Sequence, residues 1–228
     1  MFKKSFFLGV KDAVPVVLGY IPIGITLGIT AKQVGFFVSD MFLMLTFVFA
    51  GSSQFIGVNM IGAGATLLTI TTTTFFVNFR HFMLSSAYAP YLHGEKTAKL
   101  IFVGALMTDE SFAISIEKVK EDHEKYNTTY LLGLEITAWL TWITSTCLGV
   151  AIGSFIPSYQ SLGLDFALSA MFIGLIAAMI KTKMHLVVCL LSGIISLILF
   201  NVGLTNFNVI IASIIVSCLA VGVKYANK

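Results

Sequence analysis

Long apolar runs follow one another along the chain, separated by short polar or charged connections, and several are long enough to cross a bilayer as helices. The first runs from Asp12 to Ala31 and contains Pro15, Gly19, Pro22, Gly24 and Gly28. Those residues predict a helix that is broken, so that its freed backbone lines a pathway or meets other helices. The second, Asp40–Ile61, is interrupted by Gly51-Ser52-Ser53-Gln54, and Gly62-Ala63-Gly64 turns the chain into a third, Leu67–Tyr88. A loop with Glu95, Lys96 and Lys99 leads to the fourth, Leu100–Ile116. The mixed-charge stretch Glu117–Asn127 reads as a solvated loop or helix extension. Segments five (Tyr130–Phe155, closed by Pro157), six (Phe166–Ile180), seven (His185–Phe200) and eight (Phe207–Val223) follow. The expected fold is all-α, a polytopic membrane helix bundle of seven or eight spans forming one integral membrane domain over residues 1–228. A polar core is expected in 12–116, a charged cytoplasmic loop in 117–129, and scaffold or partner surface in 130–228.

Two polar clusters interrupt this pattern. Asn78-Phe79-Arg80-His81 lies deep in segment three, and Arg80 is the only arginine in the chain. A charge at mid-bilayer costs roughly 2.5–3.5 kcal/mol on insertion scales, so it needs a partner or a water-filled cavity and marks a functional site by default. Thr108-Asp109-Glu110-Ser111 in segment four supplies the counter-charge. On a regular helix Thr74, Asn78, His81 and Ser85 share one face while Arg80 points away from it. Polar groups in two directions place segment three inside a bundle. Segment four, joined by a short loop, can pack antiparallel to it, and Asp109 or Glu110 can then pair with Arg80.

Composition sets the class. Of 228 residues 57% are hydrophobic and 11% charged, with mean hydropathy +0.93, against about 25% charged in a soluble domain. The amino-terminal MFKKSFFLGVKDAVP lacks a small-residue cleavage site after a compact apolar core and reads as mature sequence. Cys147, Cys189 and Cys218 sit in apolar runs without metal-ligand spacing and read as packing residues. The chain has no GxxxxGK[ST] loop, no HExxH and no GxSxG, and His81, His93, His123 and His185 are scattered. ATP-driven steps, zinc proteolysis and serine hydrolysis therefore have no sequence basis, and neither a metal nor another cofactor is expected.

A weak repeat at an offset of 125 residues aligns Gly24-x-x-x-Gly28 with Gly149-x-x-x-Gly153, Asp40 with Asp165, and Phe47 with Phe172. Internal repeats recur in transporter folds, and small residues four apart let helices approach closely. The polar clusters have no counterpart in the second half.

Three readings of these residues stay open. A buried ion pair that fixes helix register would explain Arg80 and one acid, and would suit an assembly subunit. Two acids beside one arginine leave an acid over, which with His81 suits a proton relay. The Gly51–Gln54 interruption offers hydroxyls, an amide and bare backbone, the kind of half-helix terminus that binds the carboxylate of a small zwitterion. Phe47, Phe49, Phe55, Phe75 and Phe76 could enclose an apolar side chain beside it. The substrate-binding candidates are thus Gly51, Ser52, Ser53, Gln54, Asn78, Arg80 and His81. The proton-coupling candidates are Asp109 and Glu110, and Pro15, Gly19, Pro22 and Gly24 are the helix-break candidates. A passive facilitator would use the same lining.

FAGSSQF (Phe49–Phe55), NFRHFMLSSAYAP (Asn78–Pro90) and LMTDESFA (Leu106–Ala113) resemble the patterns FAGSSQF, NxRHxLxSxxxxP and LTDExFA of AzlC-type branched-chain amino acid permeases. Pro15–Gly24 and Leu164–Leu175 are also similar, in the family's order over nearly the whole chain; Met107 stands where the family often has leucine. The resemblance implies export of leucine, isoleucine, valine or methionine, driven by the proton gradient. It also implies a small AzlD-type membrane subunit as partner and a bacterial cytoplasmic membrane.

With eight spans and a cytoplasmic amino terminus, Lys3, Lys4, Lys11, Lys118, Lys120, Lys125, Lys181, Lys183, Lys224 and Lys228 fall inside, and only Lys32, Lys96 and Lys99 outside, in keeping with the positive-inside rule. A re-entrant first segment would give seven spans and flip the amino terminus. Reporter fusions at both ends are therefore expected to read cytoplasmic, and a periplasmic amino terminus would favour seven.

Overall fold

A computed structural model of the protein describes residues 2–155, 166, 169–170, 173–174, 176–177, 180, 182–204 and 208–226. Contacts divide the chain into a unit from Met1 to Leu175 and a unit from Ile176 to Lys228. The described residues of the first form α1 (Phe2–Asp12), α2 (Val14–Val34), α3 (Val38–Phe47), α4 (Gly51–Gly62), α5 (Leu67–Tyr88), α6 (Thr97–Leu106), α7 (Asp109–Glu121) and α8 (Thr128–Gly153). In the second, α9 (Lys183–Asn201) and α10 (Asn208–Ala226) pack on each other, and Asn208 Nδ2 donates to Ser196 Oγ at 3.0 Å. The described residues are helical with connecting turns, as an all-α membrane bundle requires. Val14–Val34, Thr128–Gly153 and Lys183–Asn201 are each long and apolar enough to cross a membrane. Segment six is described only in part, and Pro157, Asp165 and Phe172 lie outside the described residues.

The first segment corrects the expectation of a break. Pro15, Gly19, Pro22 and Gly24 all lie within one uninterrupted 21-residue helix, α2. Pro15 sits in its first turn, where an N–H has no intrahelical partner anyway. Pro22 is interior, and its own carbonyl accepts from Thr26 Oγ1 at 2.9 Å. Gly24 serves helix contact: a Cβ there would lie 2.1 Å from Ser145 Oγ. At 21 residues this helix is long and apolar enough to cross a membrane.

Breaks occur in segment two, at the expected Gly51–Gln54 interruption, and in segment four. The α3 helix ends at Phe47, Val48 and Ala50 leave the helical region with ψ of 86° each, and α4 starts at Gly51. Likewise α6 ends at Leu106, Met107 and Thr108 are extended, and α7 starts at Asp109. Local chemistry closes each break. Thr108 caps α7 in a reciprocal box, its Oγ1 accepting from the Ser111 N–H at 3.4 Å while its own N–H donates to Ser111 Oγ at 3.0 Å. At the other break the Val48 carbonyl accepts both from the Ala50 N–H at 3.2 Å and from Gln54 Nε2. The charged stretch after segment four is partly helical, since α7 continues to Glu121 with Lys118 and Lys120 in its last turn, where cations suit the helix dipole.

Around α8 the first unit is assembled: α1, α2, α3, α6 and α7 all pack on it. Lipid tails are as apolar as side chains, so such helices associate through close van der Waals approach. Small residues permit it. Cβ atoms at Gly9 and Gly133 would meet the carbonyls of Tyr130 and Phe6 at 2.1 and 2.2 Å, and those at Gly28 and Gly149 the carbonyls of Thr146 and Ile25 at 2.1 and 2.3 Å. These pairs ascend together in sequence, so α1–α2 and α8 run parallel. The small-residue faces aligned by the 125-residue offset are thus the faces that meet. Leu27, Met41, Leu45, Phe55, Trp142 and Val150 fill the core between α2, α3, α4 and α8.

Gly149→Leu is expected to lower the melting temperature and the folded yield in detergent, since overpacking costs about 1–3 kcal/mol or more when backbone must move. Gly19→Ala, with nothing within 4 Å of its Cβ, is expected to hold or raise it, because alanine gains up to about 1 kcal/mol in a helix interior. Equal loss in both would show that close packing on α8 is not what Gly149 provides.

Candidate functional site

The two breaks face each other across α5. Arg80, near the middle of α5, forms an ion pair with Asp109, the first residue of α7, and its Nη2 donates to Ser52 Oγ at 2.6 Å in the first turn of α4. Two residues earlier on α5, Asn78 Oδ1 accepts from Ser53 Oγ. Asn78 and Arg80 thus both reach the first turn of α4, although helical spacing points them apart. Arg80 has the length to turn back, whereas Asn78 contacts α4 directly. The Arg80 and Asp109 side chains keep 26% and 19% of their exposure, which places the pair at the wall of a cleft and not in a sealed core.

In this conformation that cleft is open at its mouth and has room for about one water molecule. Of the candidates, Gly51, Ser52, Arg80, His81, Asp109 and Glu110 line it. His81 also reaches the backbone of Met107 at the second break. Ser53, Gln54 and Asn78 stand behind the wall. Ser53 holds Asn78, and Gln54 Oε1 accepts from Trp142 Nε1 at 2.7 Å while its amide nitrogen serves Val48. Pro15, Gly19, Pro22 and Gly24 do not line the cleft. Among the phenylalanines only Phe49 does; Phe55 is buried in the core, and Phe47, Phe75 and Phe76 are exposed at 81%, 63% and 37%.

Three residues complete the arrangement without having been singled out in the sequence. Tyr20 of α2 donates its hydroxyl to Glu110 Oε2 at 2.7 Å and lies 2.8 Å from Thr108 Oγ1. Trp142 stacks edge-on to Tyr20 at 4.9 Å and covers Gly51, whose Cβ would lie 3.1 Å from the indole. Glu135 of α8 is wholly buried and accepts from Ser111 Oγ at 2.8 Å. A signal existed for the last, since Glu135 is the only charged residue in the 26 residues of α8. Tyr20 and Trp142 look like ordinary core aromatics until packing shows where their polar atoms point.

The chemistry of the cleft follows from these positions. Ala50 gives α4 no side-chain cap, so the Gly51–Ser53 end presents N–H groups and the positive end of a helix dipole. Beside it stands the Arg80 guanidinium, a fork that fits a carboxylate. Across the cleft Asp109 and Glu110 sit on the first turn of α7, where negative charge is favoured. Phe49, Ala50 and Trp142 add apolar surface to the lining of the same cleft.

A family model described as "AzlC protein" matches residues 15–156. The chain belongs to the AzlC family. It is 28% identical to the inner membrane protein YgaZ of Escherichia coli over 94% of this chain and 89% of that protein. It is 31% identical to an uncharacterized membrane protein of Archaeoglobus fulgidus over 94% and 91%. Against the branched-chain amino acid transport protein AzlC of Bacillus subtilis it is 28% identical over 75% and 67%. No solved structure matches the chain. The AzlC match covers both helix breaks and all of α5, so the cleft lies within the family region.

Removing one member of a buried ion pair leaves an uncompensated charge, which costs about 3–5 kcal/mol when burial is complete. Arg80→Gln is expected to lower the melting temperature by less than that limit implies, given the residual exposure, and Arg80→Gln/Asp109→Asn to recover part of the loss. A double variant no more stable than Arg80→Gln would exclude unpaired Asp109 as the cause.

Proposed function

We propose that this AzlC-family chain is the large subunit of a secondary exporter of branched-chain amino acids in a bacterial cytoplasmic membrane, driven by the proton gradient and working with a small AzlD-type membrane subunit. The observation that carries the reading is the Arg80–Asp109 pair held between the starts of α4 and α7. The name of the Bacillus subtilis relative supports the substrate class.

In this reading the substrate carboxylate takes the place of Asp109 on Arg80 and receives the N–H groups of Gly51 and Ser52, while His81 stands beside it. The ammonium group goes to Glu110 or to the released Asp109. The aliphatic side chain lies along Phe49, Ala50 and Trp142. A zwitterion therefore exchanges an internal ion pair for two external ones, so the net charge of the site is unchanged on binding. Protonation of Asp109 or Glu110 removes an ammonium acceptor and weakens that binding, which couples proton entry to release on the outer side. Non-helical backbone at 48–50 and 107–108 gives each half-helix pair a place to bend as the cleft opens alternately to the two sides.

Labelled leucine efflux from cells preloaded with a leucine-containing dipeptide tests this reading. Efflux is expected only when this chain and its small partner are both present and the proton gradient is intact. Efflux that survives collapse of the gradient would identify a facilitator instead. Asp109→Asn or Glu110→Gln is expected to abolish proton coupling; unchanged gradient-driven efflux in both variants would remove the acids from the mechanism.

A further inference from the structure

Glu135, the eighth residue of the helix that scaffolds the first unit, is buried with no accessible surface. Its Oε1 accepts from Ser111 Oγ at 2.8 Å, and its Oε2 has no partner. None of the described ion pairs involves it. The groups that face it electrostatically are Glu110 on α7, Tyr20 on α2 and Tyr88 on α5, which include no cation. On the other elements packed against α8 the charges are engaged or distant from the interior: Asp12 of α1 holds Lys118, Lys3, Lys4 and Lys11 are exposed, Asp40 caps α3, and Lys99 of α6 holds Glu95. An ionised carboxylate in such a place costs several kcal/mol unless paired, and the group relieves this by taking a proton.

The hydroxyls around it form an unbroken line to the cleft. From Glu135 Oε1 to Ser111 Oγ is 2.8 Å, from Ser111 Oγ to Thr108 Oγ1 3.3 Å, from there to the Tyr20 hydroxyl 2.8 Å, and from Tyr20 to Glu110 Oε2 2.7 Å. Each intermediate group is both donor and acceptor. We propose that Glu135 is a second, internal proton-binding site, connected to the cleft acid Glu110 by the hydroxyl relay Ser111–Thr108–Tyr20. The inference rests on the exporter reading only for its purpose; the site and the relay are physical claims about the chain alone.

The transfer balances in one concerted shift. Glu135 gives its proton to Ser111 Oγ, Ser111 gives its own to Thr108 Oγ1, Thr108 to the Tyr20 oxygen, and Tyr20 to the Glu110 carboxylate. Every hydroxyl is restored, Glu135 becomes anionic and Glu110 neutral. The reverse shift reloads Glu135. The relay also runs through the residues that close the second helix break. When Glu135 is ionised, the single Ser111 hydroxyl proton points to it. When Glu135 is protonated it becomes the donor, and Ser111 is free to turn its proton to Thr108 Oγ1, the next member of the relay, at 3.3 Å. The charge on Glu135 thereby sets the hydrogen-bond pattern of the α7 cap, and with it the setting of Asp109 and Glu110.

The test is infrared spectroscopy of the purified full-length chain in lipid vesicles, with no amino acid present. At neutral pH a protonated carboxyl stretch is expected in the wild type and is expected to be lost in Glu135→Gln. In Tyr20→Phe the band is expected to remain but its shift on transfer to deuterated water to slow at least ten-fold. Should Glu135→Gln fold poorly, Ser111→Ala is expected to move the frequency of the same band by removing its hydrogen bond. An unchanged band in Glu135→Gln, or in Ser111→Ala, would overturn the site, and wild-type exchange in Tyr20→Phe would overturn the relay. These outcomes are independent of leucine efflux: a correct band with no efflux removes the exporter reading alone, and efflux without the band removes Glu135 alone.

Discussion

The structure of the first unit depends on the need to pair a single guanidinium inside an apolar bundle. Arg80 sits near the middle of α5, where no surface lysine-type escape to a headgroup is at hand. Its pairing requires an acid at the same depth, and Asp109 is there because the segment that carries it is not one helix but two. The break after Leu106 turns Asp109 into a helix-starting residue, so its charge is favoured by the α7 dipole as well as by Arg80. The break before Gly51 brings Ser52 to the other side of the same guanidinium. Both interruptions of regular structure are thus organised around one cation, and each is closed by its own local bonds, Thr108 with Ser111 and Gln54 with Val48.

A site of this kind needs a rigid wall, and α8 supplies it. Backbone-to-backbone approach at Gly28 and Gly149 and at Gly9 and Gly133 fixes α1–α2 parallel to α8 without any hydrophobic driving force. That alignment brings Tyr20 and Trp142 together and sets their polar atoms toward Glu110 and Gln54. It also carries Glu135 into the interior beside Ser111. The second half of the chain therefore reaches the polar core through α8, although its sequence lacks counterparts of the polar clusters.

In the proposed exporter, selection of the substrate rests on the internal ion pair. A neutral apolar solute would have to leave Arg80 and Asp109 paired and gain only the Phe49–Trp142 wall. A lone anion or cation would separate the pair and leave one charge without a partner. On the proposed exporter reading, a zwitterion with an aliphatic body meets all three requirements at once. The two acids are held differently: Asp109 by a cation, Glu110 by a phenol.

Sequence alone determined the membrane class, the connection of apolar segments into helices, and the residues that carry charge into the bilayer, because hydrophobic length and isolated ionisable groups are local properties. Family membership was legible for the same reason, through FAGSSQF, NFRH and TDE. Where the helices break was legible only in part: the Gly51–Gln54 interruption marked one true break, while the break before Asp109 showed only as a polar cluster. Pro15, Gly19, Pro22 and Gly24 suggested a break in the first segment, but a proline in a first turn costs nothing there, and glycine in a helix serves close packing as readily as bending. The real breaks lie where neighbouring helices offer bonds to the freed backbone and a cation to the helix start, and those are tertiary facts. Tertiary structure likewise decided that Asp109 and not Glu110 pairs with Arg80. It placed Ser53, Gln54 and Asn78 behind the cleft instead of within it, and it joined Tyr20, Trp142 and Glu135 to a site from residues 88 to 90 positions apart or set on another helix. Spacing along one chain carries no record of which side chains meet across the bundle; only the packing on α8 does.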